Sequence, residues 1–185
     1  MKYKVLNTVN FTGCEEGLVK LKSIAEVVNV EPTKEKVFEI IQEFDVYFST
    51  LNFRFDRAFI DKAINLKIVV SPSTGTDHLD KAYLLEKGIK LFDLSKEFEV
   101  INSFSATSEL AFTLLLSLNR RFIPAIRSVK TENNWGRETY TGFQLLNKTI
   151  GIIGMGRLGN ISARIAKGFG MKVIYNDILK IDSKC

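Results

Sequence analysis

Three glycines near the end of the sequence have the types and spacing of residues that hold phosphate groups. Gly154, Gly156 and Gly159 follow directly on the apolar run Thr149–Ile153. A Gly-x-Gly-x-x-Gly segment between a strand and a helix is the pattern of a dinucleotide-binding turn. An acid, Asp177, lies 18 residues after the third glycine, at the end of the next apolar run. The glycines alone would be weak evidence, but the strand, the glycines and the acid together indicate a nucleotide site.

Each position of this segment has its own physical task. Gly154 permits a tight turn, and Gly156 lets the backbone approach a pyrophosphate. Gly159 allows the following helix to pack closely on the strand. The backbone amides at the start of that helix, including those of Arg157 and Leu158, face negative phosphates along the helix dipole.

Asp177 indicates which dinucleotide is bound. Its carboxylate can accept hydrogen bonds from the hydroxyl groups of an adenosine ribose, and its charge would repel a 2′-phosphate. The sequence therefore predicts NAD as the cofactor, in preference to NADP. The alternative is a glycine-rich turn that binds no ligand.

The elements that must position this segment alternate along the chain. Strand-like runs rich in Val and Ile recur between helical segments, which is the pattern of βαβ units around a parallel sheet. Continuous apolar runs such as "KIVV" are typical of strands covered on both faces. The predicted strands are Lys4–Thr8, Ala25–Val30, Asp45–Ser49, Lys67–Ser71, Lys90–Asp93, Thr149–Ile153 and Lys172–Tyr175. The predicted helices among the first hundred residues are Glu15–Ser23, Lys34–Phe44, Phe55–Ala63 and Asp80–Lys87.

This alternation breaks after the fifth strand. A polar segment leads into the strongly apolar helix of "ELAFTLLLSLNRR", and a polar loop, "TENNWGRETYTG", precedes the next strand. Glu109 in the first turn of that helix and Arg120 in its last turn suit the helix dipole. We place a domain boundary near residue 100, with one α/β domain before it and the beginning of a second after it.

The composition excludes several other classes of protein. The formal net charge is +5, but the 26 basic residues are interleaved with 21 acidic ones, whereas a nucleic-acid face concentrates its charge. No nucleic-acid partner is therefore predicted. No apolar run is long enough to span a membrane, and the first residues lack the pattern of a signal peptide. Cys14 and Cys185 have neither paired nor metal-like spacing, so we expect reduced thiols, no metal site and a cytoplasmic location.

Three segments are similar to successive parts of one protein family. They are "IVVSPSTGTDHLD", "SATSEL" and "NNWGRETYTGFQLLNKTIGIIGMGRLG", and they resemble the substrate loop, the start of the cofactor domain and the loop into the dinucleotide turn of the D-isomer-specific 2-hydroxyacid dehydrogenases. The resemblance implies a flavodoxin-like parallel-sheet substrate domain over residues 1–100. Residues 101–185 would then form the first βαβ unit of a Rossmann NAD-binding domain, incomplete here. The implied activity is hydride transfer between NAD and the CH–OH group of a 2-hydroxyacid, with 3-phosphoglycerate as a candidate.

The resemblance also implies roles for single residues. Thr74 and Gly75 would present backbone amides to the substrate carboxylate, since a turn that contains glycine can form an anion-binding nest. The alternative is an ordinary strand-to-helix turn, and Asp77 is expected to be the N-cap of the helix that follows. Thr107 matches a family position near the nicotinamide, and a hydroxyl at a helix start is the alternative. Arg157 would lie beside the pyrophosphate or, alternatively, in solvent.

Two larger features follow from the same resemblance. The apolar helix over residues 108–121 implies a homodimer, because its sequence is too apolar to face water. Trp135 is the only tryptophan, and it matches a family tryptophan that we interpret as a packing residue.

The family also needs residues that this sequence does not supply. Its chemistry uses an arginine that holds the substrate and a histidine that acts as acid and base, oriented by a glutamate, and all three would fall beyond Cys185. No catalytic residue is therefore predicted in the chain. His78 is the only histidine, and we interpret it as a polar loop residue because the sequence places no glutamate to orient it. We expect a truncated family member that is inactive alone; the alternatives are an inactive nucleotide-binding relic or one half of a split enzyme.

Overall fold

Five short apolar strands pair into one parallel sheet in the computed structural model, which describes residues 2–136 and 138–179. The strands are β1 (Tyr3–Asn7), β2 (Ala25–Asn29), β3 (Val46–Phe48), β4 (Ile68–Val70) and β5 (Lys90–Phe92). Their order is β2-β1-β3-β4-β5, with every neighbouring pair parallel. This is the flavodoxin-like order of a doubly wound sheet, and it confirms the predicted fold class.

Helices connect these strands, and the unit that contains them is Met1–Ile101. They are α1 (Glu15–Ile24), α2 (Lys34–Ile40), α3 (Arg57–Lys62), α4 (Lys81–Glu86) and α5 (Phe98–Ile101). Helix α5 was not predicted from the sequence, and the predicted bounds of α2 also differ from those observed. Helix α2 was predicted to reach Phe44, whereas it ends at Ile40 and a 3₁₀ turn follows.

The start of α3 differs from the prediction for a specific reason. Phe55 was expected to open the helix, but it forms an isolated parallel bridge with Leu79, and its N–H donates to the His78 carbonyl at 2.7 Å. The helix therefore begins two residues later, and the Asp56 side chain caps it by accepting from the Phe59 N–H at 3.3 Å.

The predicted cap of α4 is wrong. Asp77 was expected to be the N-cap. The N-cap is instead Asp80, whose carboxylate accepts from the Tyr83 N–H at 3.1 Å. The intervening residues His78 and Leu79 are held by the bridge to Phe55, so the helix cannot start as early as Asp77.

Aromatic and aliphatic side chains fill the core of this unit. The Phe59 ring is fully buried and packs against its neighbours Phe38, Phe53 and Phe55, with ring centroids 4.9, 5.4 and 5.3 Å away. The other core residues with exposed fractions of 1% or less are Leu6, Val37, Ile41, Tyr47, Val69 and Leu84. Since these come from strands and helices alike, the core fixes the loops that leave the carboxyl ends of the strands.

The second unit is Asn102–Cys185. Its elements are α6 (Ala106–Asn119), α7 (Phe122–Glu132), a 3₁₀ turn (Glu138–Tyr140), β6 (Thr149–Ile153), α8 (Arg157–Gly168) and β7 (Lys172–Asn176). β6 and β7 pair in parallel, with Gly151 opposite Ile174. α6 packs on α8, where the rings of Phe112 and Phe169 stack 5.8 Å apart. This is the predicted βαβ unit, preceded by helices.

Helix α7 was not predicted. The apolar pattern of α6 runs into "RRFIPAIRSV" without a glycine, but Arg121 takes a left-handed conformation with φ of 47° and separates the two helices. Only a few per cent of residues other than glycine adopt positive φ, so Arg121 itself gives no signal. Pro124, in the first turn of α7, is a signal for the break that the prediction did not use.

None of the helices in the described residues has the length and apolar character needed to cross a membrane.

Candidate functional site

The turn between β6 and α8 has the backbone geometry that its glycines predict. Gly154 has a φ of +89°, which side chains rarely allow. A Cβ on Gly159 would lie 2.1 Å from the Gly154 carbonyl oxygen and 3.4 Å from a methyl group of Ile152, so only glycine lets the helix approach the strand so closely. A Cβ on Gly156 would meet nothing within 4 Å. Gly156 therefore faces open space that a ligand can occupy.

Hydrogen bonds from outside the turn hold this conformation. The Asn160 amide nitrogen donates to the carbonyl groups of Met155 and Gly156, at 2.7 and 3.0 Å. The Gly154 N–H donates to the Asn176 carbonyl at 2.8 Å, which ties the turn to the end of β7. Asn160 was not identified from the sequence, although its position directly after the third glycine was available as a signal.

Asp177 follows β7 and reaches the same turn. One carboxylate oxygen accepts from the Met155 N–H at 2.6 Å, and the other accepts from the Leu179 N–H at 2.9 Å. These backbone hydrogen bonds, that from Leu179 foremost, hold the pKa of the Asp177 carboxyl below its usual value. The group is therefore ionised at neutral pH. A carboxylate accepts several hydrogen bonds, so these contacts leave it able to accept from a ligand hydroxyl as well.

The start of α8 supplies further groups beside the turn. Helix geometry leaves the first-turn N–H groups without intrahelical acceptors and concentrates positive potential there. The Arg157 guanidinium donates to the Phe104 carbonyl at 2.6 Å, and the Leu158 carbonyl accepts from the Ser108 hydroxyl at 3.2 Å. Ser108 is buried in α6. These contacts connect the turn to the beginning of α6, where Thr107 lies exposed in the first helical turn.

Trp135 does not pack as expected. Its side chain is 83% exposed after the end of α7, so its large apolar surface is not covered by the described part of this chain. The expected packing of Trp135 is not found among the described residues.

The second predicted group of residues lies in the loop after β4, in the first unit. Thr74 and Gly75 are exposed there, and a Cβ on Gly75 would meet nothing within 4 Å. The Ser73 hydroxyl donates to the Gly75 carbonyl at 2.6 Å and lies 2.8 Å from the hydroxyl of buried Ser71. The sequence analysis did not single out either serine. Thr74 and Gly75 thus lie in an ordered loop with open space in front of it.

His78 belongs to the same loop. Its Nε2 atom is 3.5 Å from the hydroxyl of Ser49, a buried residue directly after β3. Partial burial lowers the pKa of the His78 imidazole, against a smaller opposite effect of the Asp77 charge. Burial therefore favours the neutral form of the ring. Within the described residues, no group of three or more His, Cys, Asp or Glu side chains could hold a metal ion.

The sheet of the first unit and the glycine turn of the second define the class of protein. A flavodoxin-like parallel sheet, followed by a strand, a glycine turn, a helix and a second strand that ends in an acid, is typical of α/β proteins that bind dinucleotides. Family comparison then identifies the group within that class. Residues 6–100 match the catalytic domain of the D-isomer specific 2-hydroxyacid dehydrogenases, and residues 112–184 match the NAD binding domain of the same family. The chain belongs to this family. The predicted family and its cofactor, NAD, are confirmed.

Individual relatives agree with this assignment. The glyoxylate reductase of Thermococcus onnurineus is 32% identical over 95% of this chain, and the D-3-phosphoglycerate dehydrogenase of Methanocaldococcus jannaschii is 33% identical over 88%. The chain covers 54% and 30% of those proteins, so it spans about half the length, or less, of the curated relatives it matches. The crystal structure of D-lactate dehydrogenase from Aquifex aeolicus, complexed with NAD and lactic acid, superposes with a TM-score of 0.79 at 22% identity. The superposition covers 97% of this chain and 52% of the Aquifex aeolicus chain, and it supports the assignment of the fold.

Proposed function

We propose that this chain is part of an NAD-dependent oxidoreductase that acts on the CH–OH group of a 2-hydroxyacid. The observation that carries the proposal is the glycine turn closed by Asp177: Gly159 has no room for a side chain, Gly156 faces open space, and the acid accepts from Met155 within the turn. This combination fits a dinucleotide, because the backbone can approach a pyrophosphate while the carboxylate remains beside the turn.

The cofactor-binding roles are assigned on the same basis. Gly154 would permit the tight turn, and Gly156 would let the pyrophosphate approach the backbone. The first-turn amides at Arg157 and Leu158 would face its charge. Asp177 would accept from the ribose hydroxyls. Thr107, at the exposed start of α6, is proposed to lie near the nicotinamide. The bound nicotinamide would supply the chemistry, a hydride exchanged with the carbinol carbon of the substrate.

The preference between the two nicotinamide dinucleotides tests this assignment. We expect the chain to bind NAD more tightly than NADP, because the Asp177 carboxylate is ionised at neutral pH and would repel a 2′-phosphate. Asp177→Ala should weaken NAD binding by about tenfold, the effect of one or two lost charged hydrogen bonds. Calorimetric titration measures both quantities, with Glu132→Ala, at the end of α7, as a control. Equal affinity for NAD and NADP in the unmodified chain would overturn the ribose assignment.

The substrate side of the proposal rests on Thr74 and Gly75. Their exposed backbone would present amides to the carboxylate shared by 2-hydroxyacids and 2-oxoacids. Relatives named glyoxylate reductase and D-3-phosphoglycerate dehydrogenase make glyoxylate and 3-phosphoglycerate the compounds to test first. Gly75→Ala should leave the fold intact, since its Cβ meets nothing, yet it would place a methyl group where the carboxylate should bind. If glyoxylate binds this variant as tightly as the unmodified chain, the carboxylate does not lie at Gly75.

We further propose that residues 1–185 bind ligands but do not turn them over. A histidine that acts as acid and base in this family is oriented by a carboxylate. In the described part of the chain, the side-chain hydrogen-bond partner of His78, the only histidine, is instead the Ser49 hydroxyl. The purified chain should therefore show no oxidation of D-2-hydroxyacids in the presence of NAD. Turnover that disappears in a His78→Ala variant would contradict this and would make His78 a catalytic residue.

A further inference from the structure

The loop after β4 contains a series of hydrogen bonds that is separate from the turn between β6 and α8. The hydroxyl groups of Ser71 and Ser73 lie 2.8 Å apart, and the Ser73 hydroxyl donates to the Gly75 carbonyl at 2.6 Å. Ser71 is buried at 2% exposure, and its N–H donates to the Phe92 carbonyl of β5 at 2.8 Å. This series of hydrogen bonds therefore starts at Ser71, which is fixed to the sheet, and ends at the exposed Gly75.

The bond from Ser73 to Gly75 closes a ring around two peptide groups. Those two groups carry the N–H of Thr74 and the N–H of Gly75. With the ring closed, the backbone dihedral angles of Thr74 and Gly75 cannot vary independently, so the directions of both N–H groups are restricted. Without the Ser73 hydroxyl, the same exposed residues would have to be ordered when a ligand binds, at a cost in conformational entropy.

The other end of this segment is fixed as well. The Ser73 carbonyl accepts from the Leu94 N–H, in the loop after β5, at 3.1 Å. Because a peptide group is planar and trans, its carbonyl and its N–H point in opposite directions. Holding the Ser73 carbonyl toward Leu94 therefore turns the Thr74 N–H away from Leu94. The carbonyl groups at both ends of the segment are thus held by protein donors.

We propose that Ser73, itself held by Ser71, is a positioning residue that orders the Thr74 and Gly75 amides to receive the carboxylate of a 2-oxoacid. The inference rests on the proposed function, which gives those amides their ligand, and it adds the residues that keep them ordered. Ser73 does not touch the carboxylate. It acts through the backbone, in the way that supporting hydrogen bonds fix the residues that contact a ligand.

The experiment is a glyoxylate titration of the isotope-labelled full chain, followed by NMR at the amides of Thr74, Gly75 and Thr76. We expect Ser73→Ala to weaken binding by roughly five- to tenfold, the effect of losing one hydrogen bond. Ser73→Thr keeps the hydroxyl and should restore the affinity. Ser23→Ala is the matched control, because the Ser23 hydroxyl also donates to a nearby carbonyl, that of Lys20, at the exposed end of α1.

The outcomes separate this inference from the proposed function. If the unmodified chain binds glyoxylate at these amides and Ser73→Ala binds it equally well, the positioning role is wrong and the proposed function stands. If Ser73→Thr binds as weakly as Ser73→Ala, the hydroxyl is not the group responsible, and the inference is again overturned. If the unmodified chain shows no shift at these amides, the substrate assignment fails and the inference fails with it.

Discussion

At the scale of single residues, the three glycines of the turn have different tasks that substitution can separate. Gly159 is needed for the fold, because a Cβ there would lie 2.1 Å from the Gly154 carbonyl oxygen. We propose that Gly156 serves mainly the ligand, because a Cβ there would meet nothing within 4 Å. The same substitution by alanine should therefore damage stability at one position and binding at the other.

We expect Gly159→Ala to lower the free energy of unfolding by about 1–3 kcal/mol, the usual cost of overpacking. Gly156→Ala should lower that free energy by less, about 1 kcal/mol at most, because its Cβ meets nothing and the cost is that of Ala in place of Gly at the N-cap of α8. The Gly156 variant should nevertheless lose NAD affinity, because its methyl group would stand where the pyrophosphate approaches. Thermal denaturation and NAD titration measure the two effects. Equal destabilisation by both substitutions would show that this division of tasks is wrong.

At the same scale, Asp45 makes the stability of the sheet depend on pH. Its carboxylate accepts from the Lys4 N–H at 2.9 Å and from the Lys67 ammonium at 2.7 Å. These bonds, the one from Lys4 first, hold the pKa of Asp45 below its ordinary value of 3.8. A lowered folded-state pKa contributes stability that is present above the unfolded-state value and is lost as the pH falls through the folded-state value.

We therefore expect the midpoint of unfolding to fall as the pH drops below about 4, the ordinary range of Asp. Asp45→Asn should reduce that dependence by about 1 kcal/mol at most, because its partner Lys67 has a side chain that is 61% exposed, so solvent screens the ion pair. The measurement is thermal unfolding between neutral and acidic pH. A variant that keeps the full dependence of the unmodified chain would rule out Asp45 as its source.

At the scale of elements, the helix α6 carries a row of exposed leucines. Leu110, Leu114 and Leu118 are spaced by four residues and lie more than half exposed. Residues at this spacing share one face of a helix, so the row forms an apolar stripe. A stripe of this kind is typical of a surface that a partner covers, and we propose a homodimer through this helix.

Substitution of one leucine tests the dimer. We expect Leu118→Lys, at a residue 79% exposed, to shift the chain toward monomer in sedimentation measurements, because a charge would be buried in the contact. Leu85→Lys is the matched control, since Leu85 on α4 is 80% exposed but lies in the other unit. A chain that sediments as a monomer before any substitution, or equal effects of both variants, would contradict a dimer through α6.

The elements also show how far the sequence could predict this structure. The turn from Gly154 to Gly159 was predicted because its chemistry is local and its spacing is fixed. The hydrogen bonds of Ser71 and Ser73 were not predicted from the sequence. They depend on contacts with β5 and with the loop after it, and only the register of the sheet creates those contacts. The cap of α4 was misplaced at Asp77 because two aspartates lie three residues apart and the bridge of Phe55 to Leu79 decides between them. No local pattern carries that information.

At the scale of the whole molecule, the two units differ in how much apolar surface they bury. The first unit contains a connected core cluster of 14 buried residues around its five-stranded sheet. The sheet of the second unit has only two strands, β6 and β7. Ile153 in β6 is 94% exposed, and a sheet of only two strands is marginally stable by itself. Local stability follows buried apolar contacts.

Hydrogen exchange of the chain should therefore show two levels of protection. We expect the amides of β1, β3 and β4 to exchange most slowly and those of β6 and β7 to exchange considerably faster. Mass spectrometry of peptides from each unit gives the comparison. Equal protection of the two units would mean that the second unit is self-sufficient despite its exposed strand.

NMR can locate NAD directly at the turn between β6 and α8, where we propose that it binds. In a titration of the labelled chain with NAD, we expect the largest amide shifts at Met155, Gly156, Arg157 and Leu158, together with shifts at Asp177. NADP should produce smaller shifts at equal concentration. Saturable NAD binding whose largest shifts lie outside this turn, or no binding at millimolar NAD, would contradict the account.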